Sequence, residues 1–207
     1  MKLKHKFLNE LELLEEKQEF CGRKIKNKCN ILIIGTFNPD NESCLKENEA
    51  SWFYGRDKSW FWKYLPENII GTNLHENGSV DVWKNFCREH NIIIVDLIKS
   101  FEAQSKLVDF KDSSIDVSIN EKSSNTAIFD FNRAFDGITF EKVIYTRKGW
   151  EPNKNKDIPC LIKIKDDTNN ILLQNGIICS ESQIKYCPAP WQKRKSTSLQ
   201  WEIAIKN

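Results

Sequence analysis

The segment Ile31-Leu32-Ile33-Ile34-Gly35-Thr36-Phe37-Asn38-Pro39 is the most informative part of the chain. Its apolar first half, without polar alternation, predicts a central strand of a parallel sheet over residues 31–37. The glycine, asparagine and proline of its second half predict a tight turn at the carboxyl end of that strand. Open α/β sheets bind ligands at the carboxyl ends of their strands, so the segment predicts a ligand site that contains Asn38.

An aromatic segment, Tyr54-Gly55-Arg56-Asp57-Lys58-Ser59-Trp60-Phe61-Trp62, comes at the end of a long polar loop over residues 38–58. Loops of this length in compact domains are usually functional or mobile. Ser59 predicts the start of a helix, and Pro66 predicts its end. An amide side chain close to aromatic faces is a means of holding a nucleobase, because a flat base stacks on such faces.

Two more predicted strands end in polar residues. A buried strand over residues 92–95 ends in Asp96, and a short strand over residues 142–146 leads into Arg147 and Lys148. We expect both strands to join the first in a mostly parallel sheet. Their polar ends add a carboxylate and two cations to the predicted ligand site.

The rest of the chain alternates between predicted helices and strands. We expect short strands at 171–173, 177–179 and 184–187, the first two joined by an Asn175-Gly176 turn. We expect helices within 1–20, at 80–89, at 126–135 and from Ser196–Ser198 onward. This alternation predicts an α/β protein with a mostly parallel sheet covered by helices.

The composition fits one folded domain. The chain has 207 residues, of which 40% are apolar and 29% charged, so a packed core is feasible and disorder is disfavoured. We expect a helix or arm over residues 1–30 and a single domain over residues 31–207. The formal net charge is only +2, so any nucleic-acid surface must come from local basic patches.

The cysteines and the apolar runs bear on the cellular setting. Seven cysteines occur without a C-x-x-C pair, which gives little support for a zinc site or an iron–sulfur cluster. Their scattered spacing is typical of reduced thiols inside the cell, and no apolar run reaches membrane-spanning length. We therefore expect a cytoplasmic protein with no metal, no cofactor and no membrane partner.

Three blocks of the sequence resemble the uracil-DNA glycosylase superfamily. The first is Ile33–Pro39, which is similar to the family's strand followed by Gly-x-Asn-Pro. The second is Tyr54–Trp62, which is similar to an aromatic-Ala-His-Pro-x-Asn-x-Phe-Trp segment. The third is Pro188-Ala189-Pro190 through Ser198-Leu199, which is similar to a Pro-Ser/Asn-Pro-Ser loop before a helix. The nearest branch contains the mismatch-specific uracil/thymine-DNA glycosylases and the hypoxanthine (deoxyinosine) DNA glycosylases.

This resemblance implies a three-layer α/β/α sandwich with a central, mostly parallel four-stranded sheet. It also implies a monomer that binds double-stranded DNA, flips out a damaged base and hydrolyses the N-glycosidic bond without metal. By position, Asn38 orients the attacking water, and Asp96 joins it as the second catalytic candidate. The implied base-binding residues are Gly35, Thr36, Phe37, Tyr54, Ser59 and Ala189. The implied DNA-binding residues are Pro190, Trp191, Gln192, Lys193, Arg194, Arg147 and Lys148.

The second and third blocks depart from the family pattern. Arg56-Asp57 replaces His-Pro, Ser59 stands where the hypoxanthine branch has asparagine, and Ala189 replaces a polar residue. The base remains open between uracil and hypoxanthine. Asp96 is an acceptor only and cannot donate to a uracil carbonyl, but it can accept from the N–H edge of a purine-like base.

Structural roles compete with these functional ones. Asn38 can cap the loop after its strand, Asp96 can cap a helix, and Tyr54 can be part of the core. The three histidines, at 5, 75 and 90, lie outside the motifs, and we assign none to catalysis. Two alternative functions therefore stand beside DNA glycosylase: binding of nucleic acid without excision, and hydrolysis of a free nucleoside or nucleotide.

Overall fold

A computed structural model describes residues 1–76, 78–120, 125–147, 150, 158–190 and 195–207. Within them the first elements are β1 (Lys2–Lys4), α1 (Leu8–Lys17), β2 (Glu19–Phe20), β3 (Arg23–Lys24), β4 (Lys28–Gly35), α2 (Phe61–Ile70), α3 (Val80–Glu89), β5 (Ile92–Asp96) and β6 (Ile98–Glu102). There follow α4 (Asp112–Asn120), β7 (Thr126–Ile128), α5 (Phe131–Ala134), β8 (Thr139–Tyr145), α6 (Pro159–Gln174), a 3₁₀ turn (Glu181–Gln183), β9 (Ile184–Tyr186) and α7 (Lys195–Lys206).

The centre of the molecule is a four-stranded sheet with the order β5-β4-β8-β9. All its neighbouring strands are parallel, with Gly35 opposite Asp96 and Ile34 opposite Tyr145. β4 and β5 are almost wholly buried, as their continuous apolar runs predict. Because every strand runs the same way, the four carboxyl ends meet at one edge of the sheet.

Helices cover both faces of this sheet. The connection from β4 to β5 contains α2 and α3. The connection from β5 to β8 runs across the sheet in the opposite direction and contains α4 and α5. Because such crossovers are right-handed, the two pairs of helices lie on opposite faces of the sheet. The helix contacts agree, because α7 packs on α2 whereas α4 and α5 each pack on α6. The prediction of an α/β/α fold with a four-stranded parallel sheet is confirmed.

A stack of tryptophans fixes α2 in place. The indole of Trp62 lies between those of Trp52 and Trp83, with ring centroids 5.6 and 5.0 Å away and interplanar angles of 17° and 4°. Trp62 also donates its indole N–H to the carbonyl of Phe53, 3.0 Å away. The aromatic loop before α2 is therefore tied to the helix, which holds Tyr54 at the sheet edge.

The amino-terminal residues pack against the rest of the domain. β1 pairs with β6, which pairs with β7, to give a small antiparallel sheet beside the main one. Leu3, Phe7, Leu11 and Leu14 belong to the same apolar core as β4 and β5. The segment before residue 31 thus contributes both a strand and core side chains.

Several local predictions were wrong, among them the strand at 177–179, which lies in the connection between α6 and the 3₁₀ turn. Residues 171–173 belong to α6 and not to a strand, and Asn175-Gly176 ends that helix, with Gly176 at φ +65° and its N–H bonded to the carbonyl of Leu173. The predicted helix at 126–135 is instead β7 followed by the short α5. Asp130 separates the two, because its side chain accepts from the N–H of Arg133 and caps α5.

Pro66 does not end α2, which continues to Ile70. Proline lacks the N–H that would bond to the carbonyl four residues earlier. In this fold the N–H of Leu74 takes that place and donates to the carbonyl of Trp62 at 2.9 Å. Gly71, at φ +72°, then ends the helix.

Two further findings concern the state of the cysteines and the length and polarity of the helices. All seven cysteines are free, and most are buried. Across the part of the chain that the structure describes, each helix is too short or too polar to cross a bilayer.

Candidate functional site

A cavity of about 810 Å³ lies where the strand ends meet. Side chains that follow β4, β5, β8 and β9 all line it, together with the aromatic loop and the residues just before α4. The predicted site residues in its wall are Thr36, Phe37, Asn38, Tyr54, Ser59, Asp96, Arg147, Ala189 and Pro190. Trp191, Gln192, Lys193, Arg194 and Lys148 lie outside the described residues.

Gly35 lies beneath this cavity and leaves room for two functional groups. A β-carbon at this position would overlap the Oδ1 atom of Asp96 and would lie 2.6 Å from the hydroxyl of Tyr54. Substitution by any larger residue therefore requires both side chains to move. The glycine allows the carboxylate and the phenol to approach each other over the end of β4.

Asn38 presents one end of its amide to the cavity. Its Oδ1 accepts from Nη2 of Arg56 at 2.6 Å and from Nδ2 of Asn48 at 2.7 Å. Because arginine only donates, the atom that faces Arg56 must be the oxygen, which fixes the orientation of the amide. Both lone pairs of that oxygen are occupied, so the Nδ2 donor of Asn38 is the group that a ligand can use.

Arg56 clamps the two asparagines and brings a positive charge into the cavity wall. Its Nε and Nη2 both donate to Oδ1 of Asn48 at 3.1 Å, and its guanidinium lies 4.3 Å from the ring centroid of Phe110. Burial lowers the pKa of Arg56, and the Asp96 carboxylate opposes this shift. A guanidinium stays charged at neutral pH, so this wall of the cavity favours an anionic ligand or leaving group.

Asp96 ends β5 and is 5% exposed. Its Oδ2 lies 2.7 Å from Nε2 of His5. Its Oδ1 has no hydrogen-bond partner among the described residues, and the carboxylate lines the cavity. The same cavity therefore holds an unoccupied acceptor in Asp96 and the donors of Asn38 and Arg56.

Tyr54 combines a stacked ring with an anchored hydroxyl. Its half-buried ring stacks on Phe61, with centroids 4.2 Å apart, and its hydroxyl lies 2.7 Å from Oγ1 of Thr146. Its backbone has φ +57°, an uncommon value for a residue with a side chain. Burial and then the nearby Asp96 raise the pKa of Tyr54, so the phenol keeps its proton.

Ser59 contributes a hydroxyl that the protein itself does not use. The residue is 2% exposed and lines the cavity, and its Oγ has no hydrogen-bond partner among the described residues. A buried hydroxyl without a partner costs about 1–3 kcal/mol, so a partner supplied by a ligand would recover that cost. Ser59 does not cap α2, whose N-cap is Trp60.

The second and third sequence blocks meet in space. The backbone N–H of Trp60 donates to the carbonyl of Pro190 at 2.7 Å. The indole of Trp201 on α7 donates to the carbonyl of Pro188 at 3.1 Å. These two bonds hold the proline loop against the aromatic loop, with Ala189 between them in the cavity wall.

Arg147 is already paired within the protein. It forms a salt bridge with Asp112, the first residue of α4, and its side chain is 30% exposed. Burial lowers the pKa of Arg147. A phosphate would therefore have to compete with the carboxylate of Asp112 for this guanidinium.

Several site residues were not predicted to take part, among them Arg56, which stood out in the sequence only as a departure from the family pattern. His5 contacts Asp96, Asn48 holds Asn38, and Phe110 stacks on Arg56. His5 is 91 positions from its partner, and no sequence spacing indicates such a contact. Asn48 was detectable in principle, since an asparagine in a long polar loop after Asn38 is a candidate for bonding back to the strand end.

The described residues contain no cluster of three or more His, Cys, Asp or Glu side chains that could hold a metal ion. The arrangement consists instead of one open carboxylate oxygen, one amide donor, one guanidinium, one hydroxyl and a stacked tyrosine. Such a set can place a water molecule and bind a flat, polar ring.

Comparison with known proteins supports the fold. No family model and no curated protein sequence matches the chain. Among solved structures, the chain is similar to the solution NMR structure of a "putative uracil DNA glycosylase" from Methanosarcina acetivorans. The TM-score is 0.52 and the identity 16%, over 88% of this chain and 92% of that one. The chain therefore has a uracil-DNA-glycosylase-like fold.

Proposed function

We propose that the protein is a monofunctional DNA glycosylase that hydrolyses the N-glycosidic bond of a flipped, deaminated base. The observation that carries the proposal is the meeting of Asn38, Asp96, Tyr54 and Ser59 in one cavity at the carboxyl edge of the sheet. The similar fold of a protein described as a possible uracil DNA glycosylase supports it. The proposed partner is double-stranded DNA, bound by a monomer at the nucleoid of the cytoplasm.

The proposed reaction needs a placed water and a stabilised leaving group. The water donates to Oδ1 of Asp96 and accepts from Nδ2 of Asn38, which leaves a lone pair directed at C1′ of the sugar. As the C1′–N bond breaks, positive charge grows on the sugar and negative charge on the base. The carboxylate of Asp96 stabilises the first charge, and the guanidinium of Arg56 stabilises the second. The water oxygen then bonds to C1′, one water proton passes to Oδ1 of Asp96, and the departed base anion takes a proton from solvent.

The proposed base is uracil or hypoxanthine. Both rings are flat and stack on an aromatic face, for which Tyr54 is the candidate, with a contribution of roughly 1–3 kcal/mol per base. Both carry carbonyl oxygens that can accept from Arg56, Asn38 or Ser59. Both also carry a ring N–H that can donate to an acceptor, so the donors and acceptors in the wall fit either ring.

A panel of duplexes tests the proposal. Each duplex carries a single uracil, hypoxanthine, xanthine or mismatched thymine, and released base is measured by mass spectrometry with strand cleavage at the abasic site as a second readout. We expect release of uracil or hypoxanthine. If the folded protein releases no base from any duplex, the proposed function is wrong.

Asn38→Ala tests the proposed role of the Asn38 amide in the reaction. Loss of one preorganised donor should lower the single-turnover rate by about 10²–10³-fold. Affinity for the duplex should stay close to that of the parent protein, because backbone contacts dominate DNA affinity. Unchanged excision by this variant would remove Asn38 from the mechanism.

Two other results would assign a different function. Salt-dependent binding of the duplex without release of any base would indicate a nucleic-acid-binding protein on the same fold. Release of base from free nucleosides or nucleotides, but not from DNA, would indicate a small-molecule hydrolase. The same panel, extended with four free nucleosides, distinguishes all three.

A further inference from the structure

His5 makes an ordered set of contacts at the candidate site. Its Nε2 lies 2.7 Å from Oδ2 of Asp96, and its Nδ1 lies 2.9 Å from the backbone nitrogen of Phe7. The residue is 2% exposed, and no other residue separates the ring from the carboxylate. A histidine from the amino-terminal segment therefore reaches the end of the second buried strand.

The two hydrogen bonds determine which ring nitrogen carries the proton. A backbone N–H can only donate, so Nδ1 of His5 must accept from Phe7. The proton of the neutral ring then lies on Nε2 and is donated to Oδ2 of Asp96. A hydrogen bond made by one ring nitrogen sets the state of the other, and this is how an imidazole is fixed in one tautomer.

The backbone and the neighbouring rings hold this imidazole in place. The N–H of His5 donates to the carbonyl of Lys99 at 2.9 Å, next to the pairing of β1 with β6. The ring lies 5.9, 5.8 and 5.8 Å, between centroids, from three phenylalanine rings, those of Phe7, Phe37 and Phe53. The imidazole is therefore held both by its backbone hydrogen bond and by its ring neighbours.

The two carboxylate oxygens of Asp96 therefore have different environments. Oδ2 accepts from His5, whereas Oδ1 has no partner among the described residues and lies over Gly35 at the cavity. We propose that His5 is a positioning residue, which holds the Asp96 carboxylate so that Oδ1 faces the reacting water. This inference rests on the proposed function for its kinetic consequence, but the geometry can be tested separately.

Two variants test the two side-chain hydrogen bonds of His5 separately. Glutamine places an amide N–H near the position of Nε2, so His5→Gln keeps the donor to Asp96. Asparagine places its oxygen near the position of Nδ1, so His5→Asn keeps the acceptor for Phe7 but loses the donor. Both are uncharged amides, and thermal unfolding checks that each is folded.

We expect His5→Asn to lower the single-turnover excision rate by about 10²-fold, as a misplaced reacting group does. His5→Gln should retain most of the rate. The dissociation constant for uncleaved duplex should change little in either, because neither removes a group that contacts DNA. Equal rates for the two folded variants would overturn the inference, since a purely structural histidine would not distinguish them.

NMR supplies a readout that does not require activity. Long-range ¹H–¹⁵N spectra should show His5 as the Nε2–H tautomer, and the carboxyl ¹³C signal of Asp96 should shift in His5→Asn but not in His5→Gln. An Nδ1–H tautomer, or the same Asp96 signal in all three proteins, would overturn the positioning role. If the parent protein excises no base, the proposed function fails by itself while these spectra still decide the role of His5.

Discussion

Gly35 is the residue on which the approach of Asp96 and Tyr54 depends. A methyl group there would overlap Oδ1 of Asp96 and crowd the Tyr54 hydroxyl. We expect Gly35→Ala to lower the excision rate by at least about 10²-fold, because a displacement near 1 Å at reacting groups has that effect. The rate is measured under single-turnover conditions on the duplex that the parent protein cleaves best.

Gly71→Ala provides the control for this variant. Gly71 has φ +72° at the end of α2, with no atom close enough to clash with an added β-carbon. Its alanine variant should lose about 1–2 kcal/mol of stability through backbone strain, yet keep the parent rate. Parent-like activity of Gly35→Ala would show that the carboxylate and the phenol need not lie so close.

Tyr54 and Tyr145 make stability depend on pH at the alkaline end. Burial is the largest cause that raises the pKa of each, so both keep their protons in the folded state beyond the ordinary value of 10.0. Above about pH 10 the unfolded chain has lost protons that the folded chain retains, so stability falls with rising pH. Each of these tyrosines contributes a slope of about 1.4 kcal/mol per pH unit until its folded pKa is reached.

Tyr54→Phe tests this pH dependence. The variant should lose about 1 kcal/mol at neutral pH, because Thr146 loses its hydrogen bond with Tyr54 and keeps only the longer one to the carbonyl of Ile34. Its free energy of unfolding in urea should then fall less steeply than that of the parent between about pH 10 and 11. Parallel slopes for the two proteins would show that the phenol ionises as readily in the folded state as in the unfolded one.

Helix α1 is held to the small sheet by one buried carboxylate. Glu15 accepts from Nζ of Lys99 on β6 at 2.6 Å and from the backbone N–H of Asp130 at 2.7 Å. Glu15→Ala leaves both donors without an acceptor, so we expect a loss of about 2–4 kcal/mol in the free energy of unfolding. Urea denaturation measures this loss.

Glu12→Ala is the matched change on the same helix. Glu12 is exposed, so its removal should alter stability by no more than about 0.5 kcal/mol. A similar small effect for Glu15→Ala would mean that water replaces the carboxylate at both donors. Comparison of the two variants therefore separates the stability lost with the buried contacts of Glu15 from the effect of alanine's helix propensity.

The predictable elements were those that a single apolar run specifies. Ile31–Ile34 and Ile92–Val95 lie in β4 and β5 because continuous apolar runs suit a strand buried on both faces. The run 171–173 is equally apolar but ends a 16-residue helix, and Asn175-Gly176 suits a helix end as well as a hairpin. The local sequence pattern does not distinguish a strand before a hairpin from the last turn of a helix, whereas packing in the folded domain does.

The same limit applies to the candidate site. The strand ends at Asn38 and Asp96 were predictable, since parallel strands bring their carboxyl ends to one edge. The contact between His5 and Asp96 was not, because it depends on the pairing of β1 with β6 and joins residues 91 positions apart. The amide orientation of Asn38 likewise depends on Arg56, which replaces the histidine of the resembled motif.

For the whole molecule, a nearly balanced charge limits how DNA can be bound. The net charge of +2 gives little long-range attraction, so phosphate contacts must come from a few local cations. Arg147 at the cavity is one candidate, but Asp112 already neutralises it. The salt bridge between α4 and the end of β8 therefore sets how much of this cation is available to a phosphate.

Asp112→Asn should release Arg147 and strengthen duplex binding. We expect the plot of log affinity against log salt concentration to become steeper by about 0.9, the contribution of one added phosphate contact. In an Arg147→Ala background the same substitution should have no such effect, which separates release of Arg147 from simple loss of a negative charge. Fluorescence anisotropy across a salt series measures both slopes. An unchanged slope in Asp112→Asn would mean that Arg147 does not contact phosphate, and that the cations that bind DNA lie elsewhere on the surface.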